Sequence, residues 1–179
     1  MGFPAPWVMV IVYRGRRVTL DVSKVVLPNG HEMSVEKVVF PHAVAALPIY
    51  EGDKVVLLRQ YRPVIGNYIL EVPAGVVEEC EKPEDALVRE LGEEIGAEVD
   101  YFEKLFEGFT SPGYSTEYLT IYYANVRKLS EPRPEPHEVI NRLIISLRDA
   151  FNMVLSGNIT DMKSALAITL YMLRKNVRA

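Results

Sequence analysis

The stretch GVVEECEKPEDALVRELGEEIGA, residues 75–97, contains the most regular pattern in the chain. Pro83 suits the first turn of a helix, and Gly96 is placed to end it. Between them, apolar residues recur at intervals of four and define one buried helix face, namely Leu87, Leu91 and Ile95. Gly75 is expected to turn the chain from a strand into the loop before the helix. The pattern therefore predicts a helix over residues 83–95.

The same stretch is strongly acidic. Residues 78–98, which extend one residue beyond it, contain nine acidic residues and two basic ones. On a helix that turns about 100° per residue, Glu90, Glu93 and Glu94 share one face. Such a face is either an ordinary solvated surface or a site for a hard divalent cation, which takes oxygen ligands. Like charges repel at these spacings, which favours a compensating cation.

The spacing of the fixed residues narrows this choice. The pattern reads G-x5-E-x7-R-E-L-x-E-E-x-G-A and is filled by Gly75, Glu81, Arg89, Glu90, Leu91, Glu93, Glu94, Gly96 and Ala97. This pattern resembles the Nudix box, and so many specified residues at set spacing are far more specific than a lone glycine motif. The chain thus resembles the Nudix hydrolases, which split the diphosphate of a nucleoside diphosphate linked to another group.

The resemblance implies a site that holds two or three divalent ions, Mg²⁺ or Mn²⁺. It assigns Glu90, Glu94 and the backbone carbonyl of Ala74 as metal ligands. Glu93 is either a further ligand or a catalytic base held at the metal. Arg89 resembles the arginine that orients these glutamates, although a simple surface salt bridge with Glu93 is also compatible with the spacing.

A second acidic segment lies in the Pro-rich loop of residues 131–138. The motif PEPHEV, residues 134–139, resembles the flexible loop that brings a glutamate to the metals. Glu138 aligns best as the catalytic base, and Glu135 is the second choice. His137 between them is interpreted as a solvated loop histidine.

Two further segments resemble the ADP-ribose pyrophosphatases of this superfamily. They are RQYRPVIGNYILEVPAG, residues 59–75, and SPGYSTE, residues 111–117. The resemblance implies that ADP-ribose is cleaved to AMP and ribose 5-phosphate. The guanidinium of Arg62 suits phosphate oxygens, while Glu71 and Glu117 suit sugar hydroxyls or the outer metal shell. The substrate-binding candidates are Arg62, Glu71, Ser111, Pro112, Gly113 and Glu117.

Alternatives remain at the level of the substrate. Val35 occupies the position where many ADP-ribose pyrophosphatases carry an arginine. The residue that would contact the nucleobase is therefore left open. Another nucleoside diphosphate derivative could be cleaved instead, such as the nucleotide sugar GDP-mannose, or NADH or FAD. A non-catalytic sensor that binds ADP-ribose is a third hypothesis, but it would be expected to lose box acids, and all three are present.

Composition restricts the partners. The net charge of -4 and pI near 5.5 argue against nucleic acid, because binders of its phosphate backbone usually carry excess positive charge. A single cysteine, Cys80, and the lack of a recognisable signal segment favour a reducing cytoplasm. The apolar start, residues 7–13, is too short to span a bilayer. A small-molecule substrate is the expected partner, with no nucleic acid and no membrane.

The remaining chain predicts an α/β (α+β) fold. Short apolar runs separated by turn residues predict antiparallel strands over residues 7–60. Further strands are predicted at 99–106 and 118–126, and helices at 147–155 and from Thr160 or Asp161 onward. By resemblance, this is the Nudix α/β/α sandwich with a mixed β-sheet and a small N-terminal antiparallel sheet. Residues 1–40 would form that small sheet and dimerise into a homodimer, and residues 41–179 would form the hydrolase domain.

Overall fold

The computed structural model describes residues 10–177, which form ten strands and three helices. The strands are β1 (Ile11–Arg14), β2 (Thr19–Val26), β3 (Glu32–Val39), β4 (Ala43–Tyr50), β5 (Lys54–Arg62), β6 (Asn67–Glu71), β7 (Ala74–Val76), β8 (Ala97–Phe109), β9 (Tyr118–Leu129) and β10 (Ile140–Ser146). The helices are α1 (Pro83–Ile95), α2 (Leu147–Leu155) and α3 (Met162–Val177). None of these helices is long and apolar enough to cross a membrane.

The described residues group into two compact units. The first contains residues 10–42 and 108–118, and the second contains residues 43–107 and 119–177. In the first unit, β1, β2 and β3 form an antiparallel sheet, which confirms the predicted small N-terminal sheet. Residues 7–9 of the first predicted strand lie outside the described residues. The predicted domain boundary after residue 40 stays a prediction.

The second unit is built on a mixed sheet with the strand order β10-β5-β4-β9-β8. β4 and β9 run parallel, whereas β5 is antiparallel to β4, β6 and β10. The short β7 pairs with β4. Alternate residues of β4 enter different apolar clusters, because side chains alternate between the two faces of a strand. Ala45, Leu47 and Ile49 pack with α2 and α3, while Val44 and Ala46 pack with α1. This arrangement confirms the predicted α/β/α sandwich.

The helix α1 spans the predicted residues. Pro83 stands at its start, and Gly96 ends it with a left-handed φ of 65°. A Cβ at Gly96 would lie 2.3 Å from the carbonyl oxygen of Ser130, so both the conformation and the space require glycine. The predicted range of α2 is also confirmed. No residue range was predicted for β6, which precedes the box, or for β7, which overlaps its first residues.

Candidate active site

Helix α1 places three carboxylates on one face at different depths. Its apolar residues Leu87, Leu91 and Ile95 are buried against the sheet, which fixes the rotation of the helix. Glu94 is buried, the side chain of Glu90 is 15% exposed, and that of Glu93 is 44% exposed. The solvent exposure of the three carboxylates therefore increases from Glu94 through Glu90 to Glu93.

Strand β7 lies directly against this face. The backbone N–H of Ala74 donates to Oε2 of Glu94 at 3.0 Å. A Cβ on Gly75 would lie 1.9 Å from Oε1 of Glu90. The prediction that Gly75 turns the chain is wrong, because this residue lies inside β7. Its role is to let the Glu90 carboxylate approach the backbone closely.

Arg89 ties the loop and the helix together. Its Nε and Nη2 donate to the two oxygens of Glu81 at 3.0 Å each, and Nη2 also donates to the carbonyl of Val76 at 3.0 Å. Its Nη1 donates to Glu90 at 2.7 Å and to Glu93 at 3.3 Å. The hydrogen bonds that Arg89 donates to Glu81 and Glu90 raise its pKa, so its charge is permanent. The arrangement holds two acids of the face in fixed positions.

The inner carboxylates resist ionisation. Burial raises the pKa of Glu94 to about 8, with further contributions from the negative charges of Glu90 and Glu138. Burial also raises the pKa of Glu90, although Arg89 opposes this effect. The positive charge of Arg62 offsets only part of this effect at Glu94, and a divalent cation with oxygen ligands would supply further compensation. The donor set of Glu90 and Glu94 therefore fits a metal ion.

A second acidic group lies in the loop before β10. One ligand atom from each of Glu135, His137 and Glu138 lies within 4.8 Å of the others, as a site for a metal ion requires. The backbone N–H of Glu135 donates to Glu138 at 3.0 Å, and Nε2 of His137 lies 3.2 Å from Glu135. Sequence reasoning picked out both glutamates but not the histidine. Because the charge of Glu138 raises the pKa of Glu94, this loop lies within electrostatic reach of α1.

A buried ion-pair network lies at the ends of β5 and β6. Nε and Nη2 of Arg62 donate to the two oxygens of Glu71 at 2.6 and 2.8 Å. The Nζ of Lys163, at the start of α3, donates to the same carboxylate. Burial alone would raise the pKa of Glu71, but the hydrogen bonds and charges of the two cations outweigh it and hold the pKa below its ordinary value. Sequence reasoning missed Lys163.

The segment of residues 111–117 forms a turn in the first unit. Ser111 accepts backbone hydrogen bonds from Tyr114 and Ser115 through its carbonyl, at 3.2 and 2.9 Å. The hydroxyl of Thr110 donates to the carboxylate of Glu117 at 2.5 Å. The candidates Ser111, Pro112, Gly113 and Glu117 thus belong to the first unit, whereas the box acids belong to the second.

Comparison with known proteins identifies relatives over nearly the whole chain. The family model described as NUDIX domain matches residues 39–162. The chain is 32% identical over 170 residues to an ADP-ribose pyrophosphatase of Bacillus subtilis (strain 168), covering 94% of this chain and 92% of that protein. It is also 32% identical over 169 residues to a protein of Bacillus methanolicus named Methanol dehydrogenase activator, covering 93% of this chain and 91% of the relative.

A solved structure has the same fold. A crystal structure described as ADP compounds hydrolase superimposes with a TM-score of 0.83 and covers 97% of this chain and 95% of its own. The sequences are 20% identical, so the match shows the fold alone.

Proposed function

The chain belongs to the NUDIX family, and we propose that it is a hydrolase that cleaves the diphosphate of ADP-ribose to AMP and ribose 5-phosphate. The observation that carries the chemistry is the buried Glu94 beside Glu90: burial and the charge of Glu90 raise the pKa of Glu94, while Arg89 forms an ion pair with Glu90. The similarity to an ADP-ribose pyrophosphatase over 94% of this chain supports the choice of substrate.

Divalent metal ions are part of the proposal. Two or three Mg²⁺ or Mn²⁺ ions would be held by Glu90, Glu94 and the carbonyl of Ala74, with Glu93 as a further ligand. All of these groups offer the oxygen atoms that such ions take. When bound, the ions lower the pKa of a coordinated water and offset charge on the diphosphate.

The protein's own groups position the acids and move the proton. Arg89 holds Glu90 and Glu93 through its Nη1. Glu138 accepts the proton of the attacking water, because its carboxylate is only partly buried on a loop within electrostatic reach of Glu94. Glu93 is the alternative base, since it is the most exposed acid of the face, and Glu135 is the second choice on the loop.

Substrate contacts are proposed for the candidate residues one by one. Arg62 would bind a phosphate oxygen, because 35% of its side chain stays exposed while Glu71 fixes its orientation. The buried carboxylate of Glu71 acts through Arg62. Glu117 and the turn of residues 111–113 would contact the ribose moieties.

We further propose a homodimer formed through the first unit. Large apolar side chains at its β1 edge are exposed, namely Val10, Ile11, Val12 and Tyr13. A second copy of this chain would cover them, since contiguous apolar surface of this kind marks an interface. Light scattering at micromolar concentration tests the dimer, and a monomer would refute it.

A cytoplasmic location completes the proposal. Cys80 is a free, exposed thiol, and such thiols persist in a reducing compartment. Fractionation of the source cells with an antibody to the chain tests the location.

A substrate panel tests the function. ADP-ribose, GDP-mannose, NADH and FAD are assayed side by side with Mg²⁺, and the products from ADP-ribose are separated by chromatography. We expect AMP and ribose 5-phosphate in equal amounts and the highest kcat/KM for ADP-ribose. A kcat/KM about ten-fold or more higher for another compound would identify that compound, and not ADP-ribose, as the preferred substrate. Binding of ADP-ribose without turnover would identify a sensor instead of an enzyme.

A further inference from the structure

The start of α3 contacts the carboxylate that holds Arg62. Nζ of Lys163 donates to Oε2 of Glu71 and, at 2.9 Å, to Oδ1 of Asp161. The side chain of Lys163 is 17% exposed and that of Glu71 is 2% exposed, so this contact is largely removed from water. Charge-assisted hydrogen bonds in such surroundings are stronger than neutral ones.

The same helix turn also holds the backbone that follows Glu71. The hydroxyl oxygen of Ser164, which is fully buried, accepts the N–H of Val72 at 2.8 Å. Asp161 fixes that serine, because its Oδ2 accepts the backbone N–H of Ser164 at 3.0 Å and the serine hydroxyl as well. Asp161, Lys163 and Ser164 thus form a clamp on residues 71–72, here called the α3 clamp.

Residues 71–72 lead directly into the catalytic box. The carbonyl of Pro73 accepts the N–H of Ala46 at 3.0 Å, and the N–H of Ala74 donates to Glu94 at 3.0 Å. The segment 71–74 is therefore fixed by α3 at one end and by α1 at the other. A change in the α3 clamp would be transmitted to Arg62 through a side chain and to β7 through the backbone.

Charge balance gives Lys163 a second effect. Arg62 and Lys163 carry two positive charges, and Glu71 and Asp161 carry two negative ones, so this group is neutral overall. Without the lysine, the group would have a net charge of -1 beside the arginine that receives the diphosphate. A negative potential at that point repels an anionic substrate.

We propose that Lys163 is a positioning residue for substrate binding, which fixes Glu71 and thereby the guanidinium of Arg62. This inference rests on the proposed function, in which Arg62 binds the diphosphate. Its effect falls on KM, because Lys163 acts on the group that binds substrate and contacts none of the box acids.

Steady-state kinetics with ADP-ribose and saturating Mg²⁺ test the role. Lys163→Met is expected to raise KM about ten-fold with kcat changed less than about three-fold. Lys163→Arg keeps the charge and should restore most of the affinity. Lys175→Met is the matched control, because this exposed lysine lies in the last turn of the same helix, and its KM should equal that of the wild type. A wild-type KM in Lys163→Met, or no rescue by Lys163→Arg, would overturn the proposal.

Hydrogen exchange supplies a readout that does not depend on activity. In the metal-free protein, Lys163→Met and Ser164→Ala should both speed exchange of the Val72 and Ala74 amides, while Lys175→Met should not. Unchanged exchange in Lys163→Met would overturn the clamp even if activity fell. If the wild type cleaves nothing in the substrate panel, the proposed function is wrong, and the exchange measurement alone then decides whether Lys163 orders this segment.

Discussion

Two buried carboxylates of the second unit, Glu71 and Glu94, have opposite electrostatic surroundings. Glu71 is 1% exposed and Glu94 is 3% exposed, so burial does not distinguish them. Glu71 accepts hydrogen bonds from two cations, Arg62 and Lys163, and its pKa is lowered. Burial, Glu90 and Glu138 raise the pKa of Glu94 to about 8, and the backbone N–H of Ala74 donates a hydrogen bond to its carboxylate.

We interpret this difference as one between a structural acid, Glu71, and a proposed metal ligand, Glu94. Removing a charge from water is costly unless a partner compensates for it. Glu71 has two such partners in direct contact, whereas the charge of Arg62 only partly offsets the burial of Glu94, and we propose that a bound cation supplies the rest. Burial together with like-charged neighbours therefore indicates the functional carboxylate better than burial alone.

Glu94→Gln should produce the largest effect. We expect kcat/KM to fall by more than the roughly 100-fold that loss of an outer-shell partner costs. The fold should persist, because the amide oxygen can still accept the N–H of Ala74. Phosphate released from AMP by a coupled phosphatase measures the rate. Glu98→Gln is the control, since this exposed acid at the end of the same acidic stretch pairs with Arg127. Near-normal turnover of Glu94→Gln would contradict the assignment of Glu94 as a metal ligand.

The pH dependence of stability without metal is the next test. Between the ordinary pKa of 4.5 and about 8, Glu94 binds a proton in the folded state that the unfolded chain has lost. The free energy of unfolding should therefore fall as pH rises, by about 2 kcal/mol between roughly pH 5.5 and 7.5. Glu71, with its lowered pKa, is ionised in both states over this window and adds no slope.

Urea unfolding in EDTA at the two pH values measures this slope. Glu94→Gln should flatten it and Glu71→Gln should not. A wild-type stability that rises over this window would contradict the contrast between the two acids.

Glu71→Gln should destabilise the metal-free protein by about 1.5 kcal/mol, because Arg62 loses the carboxylate that it pairs with and Lys163 keeps only that of Asp161. Glu94→Gln should cost less at neutral pH, since that group is largely protonated there. Urea unfolding in EDTA near pH 7 compares the two variants. Equal losses of unfolding free energy in the two variants would contradict the predicted difference between Glu71 and Glu94.

A pair of glycine variants sharpens the comparison at the neighbouring Glu90. Gly75→Ala places a Cβ where the Glu90 side chain lies, so this carboxylate must move, and we expect kcat/KM to fall about ten-fold. Gly92→Ala in α1 meets nothing within 4 Å and should stabilise the helix by up to about 1 kcal/mol with normal activity. Similar kinetics for both variants would mean that the close approach of Glu90 has no role.

Sequence reasoning predicted the elements whose signals are local. Pro83 and Gly96 bound α1, and Gly157 follows α2, so both helices were predicted with their observed limits. Strands β6 and β7 are short, and they are strands because they pair with β5 and β4. Such pairing leaves little pattern in the segment itself, which is why both were missed.

The difference between local signals and contacts between distant segments also applies to the candidate site. The box acids share one helix, so their spacing alone placed them on one face. Lys163 is separated from Glu71 by 92 residues, and only the packing of α3 on the sheet brings them together. Gly75 was misinterpreted for the same reason, because the Glu90 side chain that requires a glycine comes from another element.

Calorimetric titration with Mn²⁺ in buffers of different ionisation enthalpy tests the central claim most directly. At neutral pH, the wild type should bind Mn²⁺ and release about one proton, since metal binding requires ionised ligands. Glu71→Gln should still bind the ion with proton release, whereas Glu94→Gln should bind it far more weakly. Wild-type Mn²⁺ affinity in Glu94→Gln, with no proton release from the wild type, would contradict the account.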